Sequence, residues 1–269
     1  MSLSEALRFT DSVRAPRLTW KSQRWMSPLV LILLWELGSR VGVIPARILA
    51  APSSVIQTAW GMLISGELPL NMLVSLGRAA AGLVIGISLG SALAIASGLT
   101  KAGEHAVDPP IQMLRTLPSL ALSPLFIVWF GIGETPKVAL IALGTMFPIY
   151  LNLYNGIRGV DPKLIEAARS FGLRGWDLIR EVILPGALPA FLLGLRFALA
   201  GSWLILVVAE QINASAGLGY LINNARDFSR TDVIVVCLVV YALLGLGADA
   251  VVRALERHAL AWRPSFIKS

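Results

Sequence analysis

The chain has 269 residues, of which 56% are hydrophobic and only 14% charged, with a mean hydropathy of +0.72 and a formal net charge of +7. A soluble domain of this length needs far more surface charge, so that class is excluded and the composition is that of an all-α membrane protein. No Asp, Glu, Lys or Arg falls between Arg78 and Lys101, between Arg115 and Glu134, or between Lys137 and Arg158; each interval is near the ~20 residues that carry a helix across ~30 Å of hydrocarbon.

In chain order the pattern predicts six spans, near 28–45, 76–99, 115–133, 138–157, 188–210 and 233–252. The first carries Glu36 and Arg40, one turn apart and expected to pair. A loop on the outer side follows. The second opens at Arg78, expected at the outer interface, and its small-residue runs at 79–82 and 86–90 suit close helix approach. Pro118 and Pro124 predict that the third span is bent or broken, because neither proline can donate to the helical ladder. The fourth contains Asn152, expected to bond between helices. The fifth is interrupted by Arg196 and the sixth by Asp249, read as interfacial. The chain thus divides into an N-terminal tail, 1–27, a membrane domain, 28–252, and a C-terminal tail, 253–269.

Lysine and arginine placement sets the orientation. Arg8, Arg14, Arg17, Lys21 and Arg24 precede the first span, while Arg253, Arg257, Arg263 and Lys268 follow the last. The same side receives Lys101, Arg158, Lys163, Arg169, Arg174 and Arg180, whereas the opposite side holds Arg47, Lys137, Arg226 and Arg230. Both termini are therefore expected in the cytoplasm, with the basic tails against anionic lipid and no nucleic-acid partner. The first apolar run lacks a small-residue cleavage site and reads as a retained helix. Cys237 is the only cysteine and lies within a span. With His105 and His258 far apart, no metal site is expected. No glycine loop of the GxxxxGK type is present, so the chain is not expected to hydrolyse a nucleotide.

The charged segment EAARSFGLRGWDLIREVILP, from Glu166 to Pro185, stands between apolar runs and must lie in water. Asp161 and Pro162 suit the start of a helix. Leu164, Ile165, Ala168 and Phe171 give that helix an apolar stripe, and Gly172 ends it. Gly175 permits a second turn, and Trp176, Ile179 and Ile183 make the stripe of a second short helix ahead of Pro185. Three placements are open to such a pair: on the bilayer surface, on the cytoplasmic ends of its own bundle, or in a groove on a partner.

Residue order favours the last. Glu166, Ala167, Ala168, Gly172, Val182, Leu184 and Pro185 resemble the EAA loop of ATP-binding-cassette importer permeases, with Val182 where the family commonly has isoleucine. The resemblance runs from about Pro45 to Pro264 and includes QMLRTLPSLALSPLFIVWFGIG from Gln112, ILPGALP from Ile183 and AEQINASAGLGYLI from Ala209. It is similar to the nitrate, taurine and sulfonate branch, and most similar to aliphatic sulfonate permeases. LAAPSSV at Leu49 departs from the branch's proline-serine-proline pattern, which bears on receptor contacts alone.

The resemblance implies a type I importer transmembrane fold in a bacterial inner membrane, working as a homodimer in aliphatic sulfonate import and sulfur metabolism. Two cytoplasmic ATPases would bind the ATP and Mg, with no cofactor in this chain and no catalytic residue. An extracytoplasmic binding protein would deliver substrate. Docking falls to Leu164, Ile165, Ala167, Ala168, Phe171, Leu173 and Trp176 in a coupling loop at 158–187, with Glu166 orienting the loop, Gly172 turning it and Pro185 closing it.

Arg196, Trp203 and Glu210 recur every seven residues, so they share one face of the fifth helix over about 21 Å of depth. Charged groups in spans usually face a wet cavity, and a cation with an indole suits an alkyl sulfonate. The bland alternative is that Arg196 snorkels to the cytoplasmic interface, Glu210 sits in outer headgroups and Trp203 packs between helices. Arg115 and Asn152 are further candidates for polar lining. A taurine, nitrate or other small-anion importer shares this architecture. An ion-coupled secondary transporter relaying protons through Glu36, Glu210 and Asp249 is the remote rival, and it offers no use for the cytoplasmic segment.

Overall fold

The computed structural model describes residues 20–260. Most of both expected tails, with Arg8, Arg14, Arg17, Arg263 and Lys268, lies outside the described residues. Eleven α-helices are formed, and no strand occurs among the described residues. They are α1 (Trp20–Arg40), α2 (Pro52–Ile64), α3 (Glu67–Leu99), α4 (Lys101–Leu114), α5 (Ser123–Phe130) and α6 (Glu134–Arg158). Then come α7 (Pro162–Ser170), α8 (Gly175–Leu178), α9 (Leu184–Asn213), α10 (Leu218–Asp227) and α11 (Thr231–Ala259).

Among the described residues four helical segments are long and apolar enough to cross a membrane: α3, α6, the continuous run 175–212, and α11. The third expected span is broken as its prolines require. The interval 115–133 holds only a 3-10 turn at Ser119–Leu122 and α5, and α4, which lies upstream of it, forms with the 119–130 stretch a pair bent by 86°. This pair counts as a fifth span if it crosses as one. The first expected span is the 21-residue α1, which starts at Trp20 inside the expected tail and is not among the segments apolar enough to cross. Three helices have no counterpart in the sequence reading, α2, α4 and α10.

The spans overrun the charge-free intervals that located them. α3 starts at Glu67, upstream of Arg78, and α6 at Glu134, upstream of Lys137. A charge marks a helix end only when it must reach water, and both of these cations are buried and paired.

α6 is central, with α3 on one side and α9 on the other. Gly82, Gly86 and Gly90 put backbone of α3 directly against α6. A Cβ would meet Ile141 Cγ2 at 2.5 Å, Ala142 O at 2.6 Å and Met146 O at 2.6 Å, respectively. On the far side a Cβ at Gly156 would lie 2.7 Å from Ala190 Cβ, and one at Gly194 would lie 2.8 Å from Pro148 O. Lipid tails give apolar side chains no reason to prefer one another, so this close backbone approach supplies much of the cohesion. At the edge, Glu36 of α1 binds Arg40 at 2.6 Å and also caps α2, accepting Ser53 N–H at 3.0 Å and Ser53 Oγ–H at 2.8 Å.

Candidate functional site

The charged segment between α6 and α9 folds around Gly172. Asp161 caps α7 by accepting the Lys163 N–H at 2.9 Å. At the other end Leu173 N–H bonds Ala168 O at 3.1 Å and Gly172 N–H bonds Arg169 O at 3.0 Å, the paired bonds of a Schellman stop. That stop needs a residue at positive φ, and Gly172 has φ +91°. No atom lies within 4 Å of where its Cβ would be, so backbone conformation alone restricts the position.

The expected second short helix is not a separate body. α8 is a single turn that runs through a π turn at Ile179–Ile183 into α9, so the segment reaches the span without a break. Leu164, Phe171 and Trp176 are exposed, Phe171 at 88%. Glu166, Ala167, Gly172 and Pro185 are also exposed, while Ile165 and Leu173 are half-buried. Ala168 departs from its expected place on the docking face. It is 7% exposed, so its methyl faces the protein's own interior.

Within the membrane domain the three fifth-span residues divide. Arg196 and Trp203 line one cavity of about 460 Å³ between α9 and α11, together with Phe197, Leu204, Ala248 and Asp249. Arg196 Nε donates to Asp249 Oδ1 at 3.0 Å, and Asp249 also receives Arg253, so Asp249 is a shared counter-ion. Glu210 does not share that opening. Its side chain is fully enclosed by partners from α3, α10 and α11.

Glu210 sits instead at the centre of a buried polar cluster. Its carboxylate accepts Ser75 Oγ–H at 2.8 Å, Arg78 Nη1–H at 2.6 Å, Gly219 N–H at 2.8 Å and Tyr241 Oη–H at 3.1 Å. Arg78 also bonds Glu134 through Nε and Nη2, and donates to Ala216 O at 2.6 Å. Lys137 completes the set, 3.2 Å from Glu134. Arg78 is 5% exposed, its guanidinium spent on the carboxylates of Glu134 and Glu210. The cluster holds the turn before α10: Asn71 Oδ1 accepts Gly217 N–H at 2.7 Å, and Ser75 Oγ accepts Leu218 N–H at 2.8 Å. Gly217 has φ +112°, and a Cβ there would sit 2.6 Å from Arg78 Nη1. Five helices, α3, α6, α9, α10 and α11, are joined at this point.

The other pathway candidates are placed differently. Arg115 is exposed at the end of α4, where the broken span bends. Asn152 donates to Pro148 O of its own helix at 2.8 Å, so the expected bond between helices is not made. A ladder that the sequence reading missed ties α4 to α6: Tyr150 Oη donates to Asp108 at 2.8 Å and Tyr154 Oη to Glu104 at 3.0 Å. Its signal was the matching four-residue spacing of two acids and two tyrosines.

Known proteins resemble this chain over most of its length. The family model described as "Binding-protein-dependent transport system inner membrane component" matches residues 82–260. Two curated bacterial proteins, each named "Putative aliphatic sulfonates transport permease protein SsuC", are among the relatives. The one from Escherichia coli (strain K12) is 50% identical over 242 residues, covering 90% of this chain and 92% of its own length. The one from Bacillus subtilis (strain 168) is 44% identical over 250 residues, 91% of each. Among solved structures, a crystal structure of an amino acid ABC transporter with histidines superposes with a TM-score of 0.60 at 20% identity. It covers 73% of this chain and 97% of that one, a likeness of fold.

Proposed function

This chain belongs to the binding-protein-dependent transport system inner membrane components, and from that membership we propose that two copies form the translocation pathway for aliphatic sulfonates. It is a transporter subunit and not an enzyme. Each copy docks one cytoplasmic ATPase, which binds the ATP and Mg, and an extracytoplasmic binding protein delivers the substrate. The basic side of the membrane domain, with both termini, faces the cytoplasm of a cell whose inner membrane holds the assembly.

The observation that carries the docking assignment is the exposed apolar trio Leu164, Phe171 and Trp176 around a glycine-locked stop. Exposed aromatic side chains on a water-facing segment have the composition of an interface core. The α7 helix of nine residues is about 13 Å long, enough to fill a groove. The sulfonate assignment is supported by the names of the two relatives above, each alignable over nine-tenths of this chain.

The test is uptake of a labelled alkyl sulfonate into vesicles containing the complete importer. Wild type accumulates it with ATP hydrolysis, in preference to taurine and nitrate, and Gly172→Arg abolishes the coupled uptake. Retained uptake in Gly172→Arg would refute the docking assignment, and preference for another anion would refute the substrate.

A further inference from the structure

The cavity between α9 and α11 contains a donor set that the fold leaves unused. Arg196 spends one nitrogen, Nε, on Asp249, and its two terminal amino groups have no acceptor among the described residues. The indole Nε1 of Trp203 is enclosed and likewise finds no acceptor. Both side chains line the same cavity of about 460 Å³, which is in the ordinary range of about 300–1,000 Å³ for a small-ligand site. Phe197, Leu204 and Ala248 supply apolar wall.

A buried donor without an acceptor is costly, and the Trp203 indole is one; beside it the half-exposed guanidinium of Arg196 keeps spare donors, so the cavity suits a ligand that brings acceptors. Arg196 and Asp249 of the lining balance each other, and Arg253, paired with Asp249 just outside the lining, leaves one net positive charge in the cluster, which favours an anionic ligand. Its remainder must be apolar, to match the walls. An alkyl chain ending in a tetrahedral, permanently ionised oxyanion satisfies both conditions.

We propose that this cavity is a transit site for the alkyl sulfonate anion, in which Arg196 binds the headgroup and Asp249 is a displaceable counter-ion. The site rests on the sulfonate reading and adds residues to it. Trp203 lies seven residues, about 10 Å, along α9 from Arg196 on its extracytoplasmic side, so an inward-moving anion meets the indole N–H first and the guanidinium second. The apolar walls hold the tail meanwhile. A transit site must bind and then let go. Asp249 provides the release: it already holds Arg196 at 3.0 Å and recloses that pair as the anion leaves. Arg253, also paired with Asp249, keeps the aspartate from drifting out of reach.

The experiment measures equilibrium binding of labelled hexanesulfonate to the purified permease–ATPase complex in zwitterionic nanodiscs, without binding protein. Vesicle uptake by the complete importer is measured in parallel. Arg196→Gln weakens binding at least ten-fold, and Trp203→Phe, which keeps a ring but loses the donor, weakens it about three-fold. Asp249→Asn acts in the opposite sense, tightening binding several-fold while slowing uptake. A structural role for the pair would make Arg196→Gln and Asp249→Asn shift the same way, and that result overturns the proposal, as does no shift in either.

Should Arg196→Gln fail to assemble, the opposed effects of Trp203→Phe and Asp249→Asn decide. If anionic lipid added to the nanodiscs occupies the site and hexanesulfonate does not, the cavity is a lipid headgroup site and the proposal falls. Failure of the wild-type importer to take up any alkyl sulfonate overturns the substrate reading instead. Intact uptake with unshifted binding overturns this site alone.

Discussion

Replacing Glu210 with glutamine tests whether the buried cluster holds the outer end of the bundle together. The carboxylate is fully enclosed, its partner Arg78 is 5% exposed, and four donors converge on it, from Ser75, Arg78, Gly219 and Tyr241. Removing one member of a buried ion pair costs about 3–5 kcal/mol, because the remaining charge stays enclosed. Here the lower end applies, about 3 kcal/mol: Glu134 still meets Arg78, and the amide oxygen still accepts some of the donors. At roughly 2–4 °C per kcal/mol for a chain of this size, the melting temperature falls by about 6–12 °C. Thermal melting followed by fluorescence-detected size exclusion in detergent measures it. Glu67→Gln is the control, since that side chain is exposed, and it shifts stability by no more than about 0.5 kcal/mol. The double variant Arg78→Gln/Glu210→Gln loses less than the two single variants together, by about 1–3 kcal/mol, because each single change strands the other's charge. If Glu210→Gln melts together with Glu67→Gln, the cluster is not a structural tie and the reasoning fails.

Gly86→Leu drives a side chain into α6, where even a Cβ would meet Ala142 O at 2.6 Å; folded protein is lost from the membrane fraction, while Gly77→Leu, with open space around it, is tolerated. Gly172→Asn retains the ATPase on affinity purification because asparagine tolerates positive φ, whereas Gly172→Val, strained by about 1–2 kcal/mol at φ +91°, does not. Tyr150→Phe removes the donor to Asp108 and lowers the melting temperature by about 2–8 °C, from a lost bond worth about 1–2 kcal/mol.

What could be read in advance follows one physical line. Spans are long, uncharged and locally determined, so α3, α6, α9 and α11 were legible from composition alone, as was the break that Pro118 and Pro124 enforce. The α7 cap and stop were legible for the same reason, since Asp161, Pro162 and Gly172 act on their own neighbours. Long-range pairing was not. Nothing local tells Arg78 that Glu134 and Glu210 await it 56 and 132 residues away, and a cation at a helix end is ordinarily an interfacial anchor. The same blindness hid the Glu104–Tyr154 and Asp108–Tyr150 ladder and gave Asp249 no partner. Helices α2, α4 and α10 were missed because each is shorter than a span, and α2 is capped by a carboxylate from another helix, Glu36.

The placement of these ties bears on how force from an ATPase would travel. α7 leaves α6 through Gly159 and Val160 and returns through α8 directly into α9, so both of its ends are covalently joined to the two helices packed against each other. A push on Phe171 or Trp176 therefore acts on α6 and α9 together. Those helices cannot slide independently at small cost, because Gly156 and Gly194 seat each backbone on the other and leave no compliant side-chain layer between them. At the outer end Glu210 fastens α9 to α3, α10 and α11. Between that fixed end and the driven cytoplasmic end lies the Arg196–Asp249 pair, joining α9 to α11 where both partners are partly exposed. A lever held at one end and driven at the other rotates most at the driven end. The ion pair at Arg196 would thus be the tie across α9 and α11 that such a stroke strains first, ahead of the enclosed cluster at Glu210.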